Sequence, residues 1–173
     1  RVVRVEAEAL VQRQRGFGAS AIGLAVDALG IVHHTVSHSP VFTVAQAQAL
    51  RGELRGAHSK NLFLRNKIGR MWLLTCDEGL TVDLRQVAEW LDAKRLSFGS
   101  PERLMSYLGV IPGAVTPFAV INDDGFAVQM VLDVSLIDQI LLNFHPLDNA
   151  MTTQISSRDL LLFLASVGHR PIV

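Results

Sequence analysis

Short apolar runs, separated by glycine, proline and polar residues, predict a chain of mixed helices and strands. Segments flanked by capping residues or glycine are predicted as helices: 1–14, 19–29, 43–54, 83–91, 102–108, one or two turns within 134–140, and 156–167. The β-branched or continuously apolar runs are predicted as strands: 31–36, 61–65, 71–76, 118–121, 126–132, 141–144 and 151–155. Since these elements do not alternate strictly, we expect an α+β (mixed α/β) fold with a central, largely antiparallel mixed sheet surrounded by helices.

Residues that cap helices mark several of these boundaries. Thr43 followed by Gln46 is a capping-box pattern, and Ser100 precedes a proline at the first helical position. Gly109 follows the same short helix, where a left-handed residue commonly closes the last turn. These signals predict the starts of two helices and the end of one.

Composition indicates one ordinary domain. The 173 residues are 49% hydrophobic, which is ample for one core, and no repeat or linker divides them, so 1–173 is predicted to be a single domain. Charged residues make up 18% and the mean hydropathy is +0.30, values that also fit an apolar surface paired with a second copy as a homodimer.

Location and redox state follow from what the sequence lacks. No apolar run reaches the roughly 18 residues of a membrane span, and residues 1–15 show no cleavable-signal pattern. The single cysteine, Cys76, excludes an intramolecular disulfide and is predicted to be a buried strand thiol. We therefore expect a cytoplasmic protein with no membrane contact.

Positive charge is local. The formal net charge is zero, which argues against a protein that coats nucleic acid. Between positions 51 and 70, however, there are six basic residues and one acidic residue. Four of the six are candidates for binding RNA phosphates: Arg51, Arg55, Arg65 and Lys67. The alternative is a solvated strand and turn whose charges happen to cluster.

Three short segments could carry chemistry. Lys60 and Asn61 stand where a loop should enter a strand, and they offer a point charge and an amide donor and acceptor. The alternative for Lys60 is an exposed surface lysine at a strand edge. The segment from Gly113 to Pro117 is a loop that could aim backbone N–H groups at an oxyanion, or else a tight turn between a helix and a strand. His145, at the end of an apolar strand, is a candidate base or a structural histidine.

Other chemistries find no support in the sequence. His33 and His34 point to opposite faces of a predicted strand without a carboxylate cluster, so no metal site is expected. The sequence also lacks a Gly-x-Ser-x-Gly elbow, a Walker loop and a dinucleotide fingerprint. No cofactor is predicted.

In order and spacing, several blocks resemble the YbaK/ProX family of free-standing aminoacyl-tRNA editing domains, and in particular its ProX branch. The resemblance covers about residues 20–167, and its blocks are Leu29-Gly30-Ile31, Pro40 to Val44, Leu50 to Gly52 and His58 to Arg65. Ser37 is a departure, since related sequences often carry an acidic residue before the His-x-Pro segment. That departure puts a pocket role for this segment in doubt.

The resemblance implies a cytoplasmic hydrolase that removes alanine wrongly attached to proline tRNA, acting in trans on product released by prolyl-tRNA synthetase. By the same resemblance Lys60 matches the essential lysine, Gly113 and Pro117 match a G-x-x-x-P loop, and His145 matches a histidine near the amino-acid pocket. The expected partners are the tRNA acceptor end and the synthetase.

A mechanism follows from this assignment. Lys60 would hold the phosphate of the terminal adenosine, the Gly113 loop would polarise the ester carbonyl, and water would attack with help from the ribose hydroxyl. The residues expected to bind substrate are Asn61, Ala114, Thr116, Pro117 and Asn143. Two alternatives stay open at this stage: a YbaK-type hydrolase of Cys-tRNA(Pro), and a non-catalytic module that binds aminoacyl-tRNA or an amino acid.

Overall fold

The computed structural model describes residues 18–50 and 54–173, so the predicted helix at 1–14 lies outside the described residues. The helices are α1 (Ala19–Ala28), α2 (Val44–Leu50), α3 (Leu84–Trp90), α4 (Pro101–Leu108), α5 (Val134–Ile137) and α6 (Ser157–Ser166), and Pro117–Asn122 is a 3-10 helix. The strands are β1 (His34–Ser37), β2 (Ala57–Arg65), β3 (Met71–Asp77), β4 (Ser97–Phe98), β5 (Val128–Leu132), β6 (Leu141–Phe144) and β7 (Met151–Ser156).

In the described part of the chain, seven strands form one mixed sheet. Six of them follow the order β1-β7-β6-β2-β3-β5, and β4 pairs with the end of β2. The β2–β6 and β3–β5 pairs are parallel and the other pairs are antiparallel, which confirms the predicted largely antiparallel mixed sheet.

Strand β3 lies at the centre of the packing, and its two faces supply two hydrophobic clusters. Leu73 points into the main cluster, where the rings of Phe118 and Phe163 meet edge to face. Trp72 and Leu74 point to the opposite face, into a smaller cluster closed by α3 and the segment after it. Burial on both faces explains why β3 reads as a continuous apolar run without alternation.

The predicted caps are present. The Thr43 hydroxyl accepts from the Gln46 N–H, and the Gln46 side chain accepts from the Phe42 N–H, one residue before the cap, so both residues satisfy backbone donors at the start of α2. Ser100 caps α4 through the Arg103 N–H, and Gly109 closes that helix at φ 65°.

The predicted strand at 118–121 is wrong, because this segment is the 3-10 helix. Pro117 starts it with a fixed φ and no N–H, and the Thr116 hydroxyl accepts from the Phe118 N–H. The strand predicted at 31–36 begins only at His34, since the Ile31 N–H bonds to Val26 O and closes α1. Strand β2 starts four residues earlier than predicted, at Ala57.

Candidate active site

A cavity of about 300 Å³ opens between the first half of β2, the end of β6, the segment before α2 and the loop at Gly113. Five of the residues singled out from the sequence line it: Lys60, Asn61, Gly113, Asn143 and His145. The structure brings them together from three segments that are far apart in the chain, because parallel pairing of β2 with β6 sets Ala57 beside Leu142 and His58 beside Asn143.

Three expected substrate-binding residues do not line the cavity. Ala114 and Thr116 are buried in the protein, at 2% and 0% exposure, and Pro117 is buried as the first residue of the 3-10 helix. Thr116 has a structural task as the cap of that helix. From this loop the cavity is reached by Gly113 and Val115.

Lys60 and Asn61 are each fixed by one hydrogen bond. The Lys60 ammonium donates to the Leu80 carbonyl in the loop after β3. The buried Thr75 hydroxyl donates to Asn61 Oδ1 at 2.6 Å from the opposite position on β3. The ammonium therefore keeps two further donors, and the orientation of the Asn61 amide leaves Nδ2 as its group for a ligand.

The Gly113 loop approaches the segment before α2 closely. Gly113 has φ 92°, and a Cβ there would lie 3.1 Å from the Phe42 Cα, so both the backbone conformation and the space favour glycine. The Ala114 N–H donates to the Ile111 carbonyl and closes the turn. No described residue accepts from the amides of Gly113 or Val115, and both residues line the cavity.

Asn143 and His145 are held by backbone carbonyls. Asn143 is 4% exposed, and its Nδ2 donates to the carbonyls of Arg55 and Ala57, tying β6 to the start of β2. The Nδ1 of His145 donates to the Met151 carbonyl at 2.7 Å. Burial lowers the pKa of His145, and the nearby His38 lowers it further. A neutral ring with Nδ1 protonated presents Nε2 as a hydrogen-bond acceptor.

Sequence reasoning missed His38 as a cavity residue. Its Nδ1 donates to the Ser39 carbonyl, its Nε2 bonds to the Thr152 hydroxyl, and its ring centroid lies 6.0 Å from that of His145. The pairing of β1 with β7 brings it there. Its signal in the sequence is the His-x-Pro segment at positions 38–40, whose pocket role the departure at Ser37 had put in doubt.

The four basic residues predicted to bind RNA phosphates do not lie together. Arg51 lies outside the described residues, and Arg55 contributes its main-chain carbonyl to the support of Asn143. Arg65 and Lys67 lie at the far end of the strand. There, register and contacts gather six cations, which we call the basic end: Arg65, Lys67, Arg70, Lys94, Arg95 and Arg103.

Three contacts assemble the basic end. Arg65 lies opposite Met71 on one side and Ser97 on the other. The Arg103 guanidinium contacts the Met71 sulfur, at 3.9 Å. Asn66 donates to the Ala93 carbonyl, which brings the loop carrying Lys94 and Arg95 against the β2–β3 turn. Within residues 18–50 and 54–173, none of the six cations forms an ion pair.

Three further findings concern the cysteine, possible metal ligands and the length of the helices. Cys76 is buried opposite Lys60, and burial raises the pKa of its thiol to about 11, so the prediction of a buried strand thiol is confirmed. The described residues contain no cluster of three or more His, Cys, Asp or Glu that could hold a metal ion. None of their helices is long and apolar enough to cross a membrane.

The fold, with its cavity at the junction of β2 and β6, can now be compared with known proteins. The family model of the aminoacyl-tRNA editing domain matches residues 38–163, and the chain belongs to this family. That membership makes it an aminoacyl-tRNA deacylase, an ester hydrolase, as the resemblance implied.

The relatives are in the ProX branch. The chain is 35% identical over 145 residues to the prolyl-tRNA editing protein ProX of Acetoanaerobium sticklandii, covering 83% of this chain and 88% of that protein. It is 36% identical over 151 residues to the bovine prolyl-tRNA synthetase associated domain-containing protein 1, covering 84% and 88%. These matches confirm the resemblance to the ProX branch.

A solved structure shares the fold. A crystal structure described provisionally as a trans-editing enzyme for prolyl tRNA synthetase superposes with a TM-score of 0.64 and covers 94% of each chain. Its sequence identity to this chain is 19%, so this likeness concerns the fold alone.

Proposed function

We propose that this protein hydrolyses alanine from mischarged proline tRNA, acting in trans on product released by prolyl-tRNA synthetase. The observation that carries the proposal is the meeting of Lys60, Asn61, Gly113, Asn143 and His145 around one cavity. The prolyl-tRNA editing named for the ProX relative supports the choice of tRNA.

The need for such an enzyme is chemical. A synthetase pocket shaped for proline cannot strongly reject smaller alanine, because a missing methylene is worth only about 1–3 kcal/mol. A second, smaller site excludes proline by size and hydrolyses alanine. The cavity volume of about 300 Å³ stands at the low end of ligand pockets.

Lys60 is the proposed clamp on the RNA end. Its ammonium keeps the bond to the Leu80 carbonyl and uses its other two donors on the phosphate of the terminal adenosine. The bond to Leu80 restricts the side chain before substrate arrives, so less conformational entropy is lost on binding. Lys60 acts as a fixed positive charge and not as a nucleophile.

The Gly113 loop is the proposed oxyanion support. Gly113 and Val115 line the cavity, and their amides have no accepting partner among the described residues. In this proposal the two amides donate to the ester carbonyl. An aminoacyl ester is already activated, so water attacks with help from the vicinal ribose hydroxyl.

The remaining polar residues orient the aminoacyl group. His145, neutral because of its lowered pKa, accepts from the α-ammonium through Nε2, and Asn61 donates through Nδ2. Asn143 keeps β6 joined to β2 and so preserves the spacing between His145 and Lys60. The basic end, with Arg65 and Lys67, attracts the phosphates of the acceptor stem.

The test is deacylation of proline tRNA charged separately with alanine, cysteine or proline. The expected result is rapid loss of alanine, slow loss of cysteine and no loss of proline. Preferential hydrolysis of the cysteine ester would move the enzyme to the Cys-tRNA(Pro) alternative. Binding of all three without hydrolysis would replace the enzyme by the non-catalytic module.

A further inference from the structure

One edge of β2 is open where the strand lines the cavity. Among the described residues, the side of β2 away from β3 pairs with β6 only at Ala57 and His58 and with β4 only at Leu64 and Arg65. The residues between, 59–62, line the cavity as a continuous stretch. Backbone groups that point toward this gap therefore face a ligand site and not a neighbouring strand.

The register identifies those groups. In an antiparallel pair, successive residues point their N–H and C=O alternately toward and away from the partner strand. The His58 carbonyl accepts from Glu78 N, on the β3 side, whereas the Phe63 carbonyl accepts from Gly99 N, on the other side. Ser59 and Asn61 share the direction of Phe63, so the Ser59 C=O and the Asn61 N–H lie next to each other along the open edge.

These two groups form an acceptor and a donor in fixed order. The registers of β6 and β4 do not extend to the Ser59 carbonyl or the Asn61 N–H, and no bond from another described residue reaches either group. A buried or half-buried backbone group without a partner costs free energy, which a ligand with the complementary pair would recover.

An exposed aromatic ring lines the same cavity. Phe42 is 60% exposed, although its backbone is fixed by contact with Gly113 and by the Gln46 side chain. Exposed aromatic side chains beside polar groups are typical stacking platforms for nucleobases. Phe42 thus offers a flat apolar face in the cavity whose edge holds the donor and acceptor.

We infer that the open edge of β2 and Phe42 together bind the adenine base at the 3′ end of the tRNA. Adenine presents the acceptor N1 beside the donor N6 amino group on its Watson–Crick edge. The Asn61 N–H donates to N1, the Ser59 carbonyl accepts from the N6 amino group, and the Phe42 ring stacks on the base. The inference rests on the proposed function, because it names the base next to the phosphate that Lys60 holds.

The first experiment changes single atoms of the substrate. Acceptor-stem RNA charged with alanine is prepared with a terminal adenosine, purine riboside, inosine or 7-deazaadenosine. Purine lacks the N6 amino group and inosine reverses both groups, so each should lower kcat/KM about tenfold or more. The 7-deaza base keeps the Watson–Crick edge and should react like adenosine.

The outcomes separate the two proposals. If purine- and inosine-ended RNA react as fast as adenosine-ended RNA, the base is not read at this edge and the inference fails while the proposed function stands. If a loss appears with the 7-deaza base alone, reading through N1 and N6 is overturned. If adenosine-ended RNA is itself not hydrolysed, the proposed function fails, and the inference with it.

The second experiment tests the stacking partner. Phe42→Ala should lower kcat/KM about tenfold on adenosine-ended RNA, and the control Phe42→Trp, which keeps a stacking face, should retain activity. On RNA that ends in an abasic ribose, Phe42→Ala should cause no further loss, because the base it stacks on is gone. An equal loss on both substrates would show that Phe42 acts only on the shape of the cavity and would overturn its role in base binding.

Discussion

The two ends of strand β2 hold their cations in different ways. At the cavity end, Lys60 is bound to the Leu80 carbonyl and its neighbour Asn61 to the Thr75 hydroxyl. At the basic end, Arg65 and Lys67 belong to a group of six cations that have no ion pair among the described residues. At about 3.3 Å per residue, Lys60 and Arg65 are roughly 17 Å apart along the strand.

This difference matches two kinds of work. A group that positions an ester for reaction must be held in one geometry. An uncharged polar partner can hold it there without neutralising its positive charge. Phosphates along an RNA stem can be attracted by several surface cations, whose effects add up without one fixed geometry. The net charge of zero conceals this division, because acids elsewhere in the chain balance the basic end.

The largest effect should come from removing the fixed cation. Lys60→Ala should lower kcat/KM for alanyl-tRNA(Pro) roughly 100-fold, since a charge-assisted bond to phosphate is lost. Lys67→Ala, the matched change at the basic end, should cost less than about threefold. Single-turnover deacylation of both variants measures the contrast, with thermal unfolding as the control for folding. Equal losses would show that the two ends do not differ as described.

The cations of the basic end should contribute together to tRNA binding, and this contribution should weaken as the salt concentration rises. The triple variant Lys67→Gln, Lys94→Gln, Arg95→Gln should raise KM about tenfold at low salt and leave kcat unchanged. The slope of log KM against log salt should fall by roughly one for each cation removed.

A control triple at exposed arginines outside the basic end, Arg85→Gln, Arg158→Gln and Arg170→Gln, should change KM by less than about twofold. If the two triples behave alike, the total charge and not its position attracts the RNA.

Two glycines allow the ends to be compared by stability. Gly113 and Gly69 have nearly the same positive φ, 92° and 89°, but an added Cβ meets Phe42 at position 113 and nothing within 4 Å at position 69. Alanine at either position should cost about 1–2 kcal/mol of backbone strain. Gly113→Ala should cost about 1 kcal/mol more, from the contact with Phe42.

Urea unfolding gives the two free energies of unfolding, and deacylation gives the activities. Gly113→Ala should also reduce activity, whereas Gly69→Ala should leave kcat unchanged. Equal losses in the free energy of unfolding would mean that the segment before α2 shifts away from the added Cβ at position 113 without destabilising the protein.

The smallest effect is the pH dependence of stability at the cavity end. Burial lowers the pKa of His145 below the value of about 6.5 in the unfolded chain. Between these two pKa values the unfolded chain binds more protons, so this contribution to stability is present above pH 6.5 and is lost as the pH falls. In His145→Gln the free energy of unfolding should decline less steeply from pH 7 to 5 than in the unchanged protein. An identical slope would show that His145 does not titrate differently on folding.

Local signals predicted most elements of the fold. The caps of α2 and α4, the turn between β2 and β3, and the final helix follow from residue types within a few positions, such as Thr43 with Gln46. The strand expected at 118–121 failed because its apolar residues are buried as a 3-10 helix, an outcome set by Thr116 and Pro117 and by the space against Phe163. Burial of an apolar run does not by itself distinguish the two.

The sequence by itself determined the family, the residue types available for chemistry and the local concentration of positive charge. Only the tertiary structure decided which of them meet, because parallel pairing of β2 with β6 and the approach of Gly113 to Phe42 depend on contacts between residues far apart in the chain. It also decided that Thr116 supports the core while Val115 faces the cavity, and that β2 is open at one edge between β6 and β4. The pattern of residues along the chain indicates periodicity and helix caps. Whether a backbone N–H of β2 points to a partner strand or to the unpaired edge is fixed only when the neighbouring strands are in place.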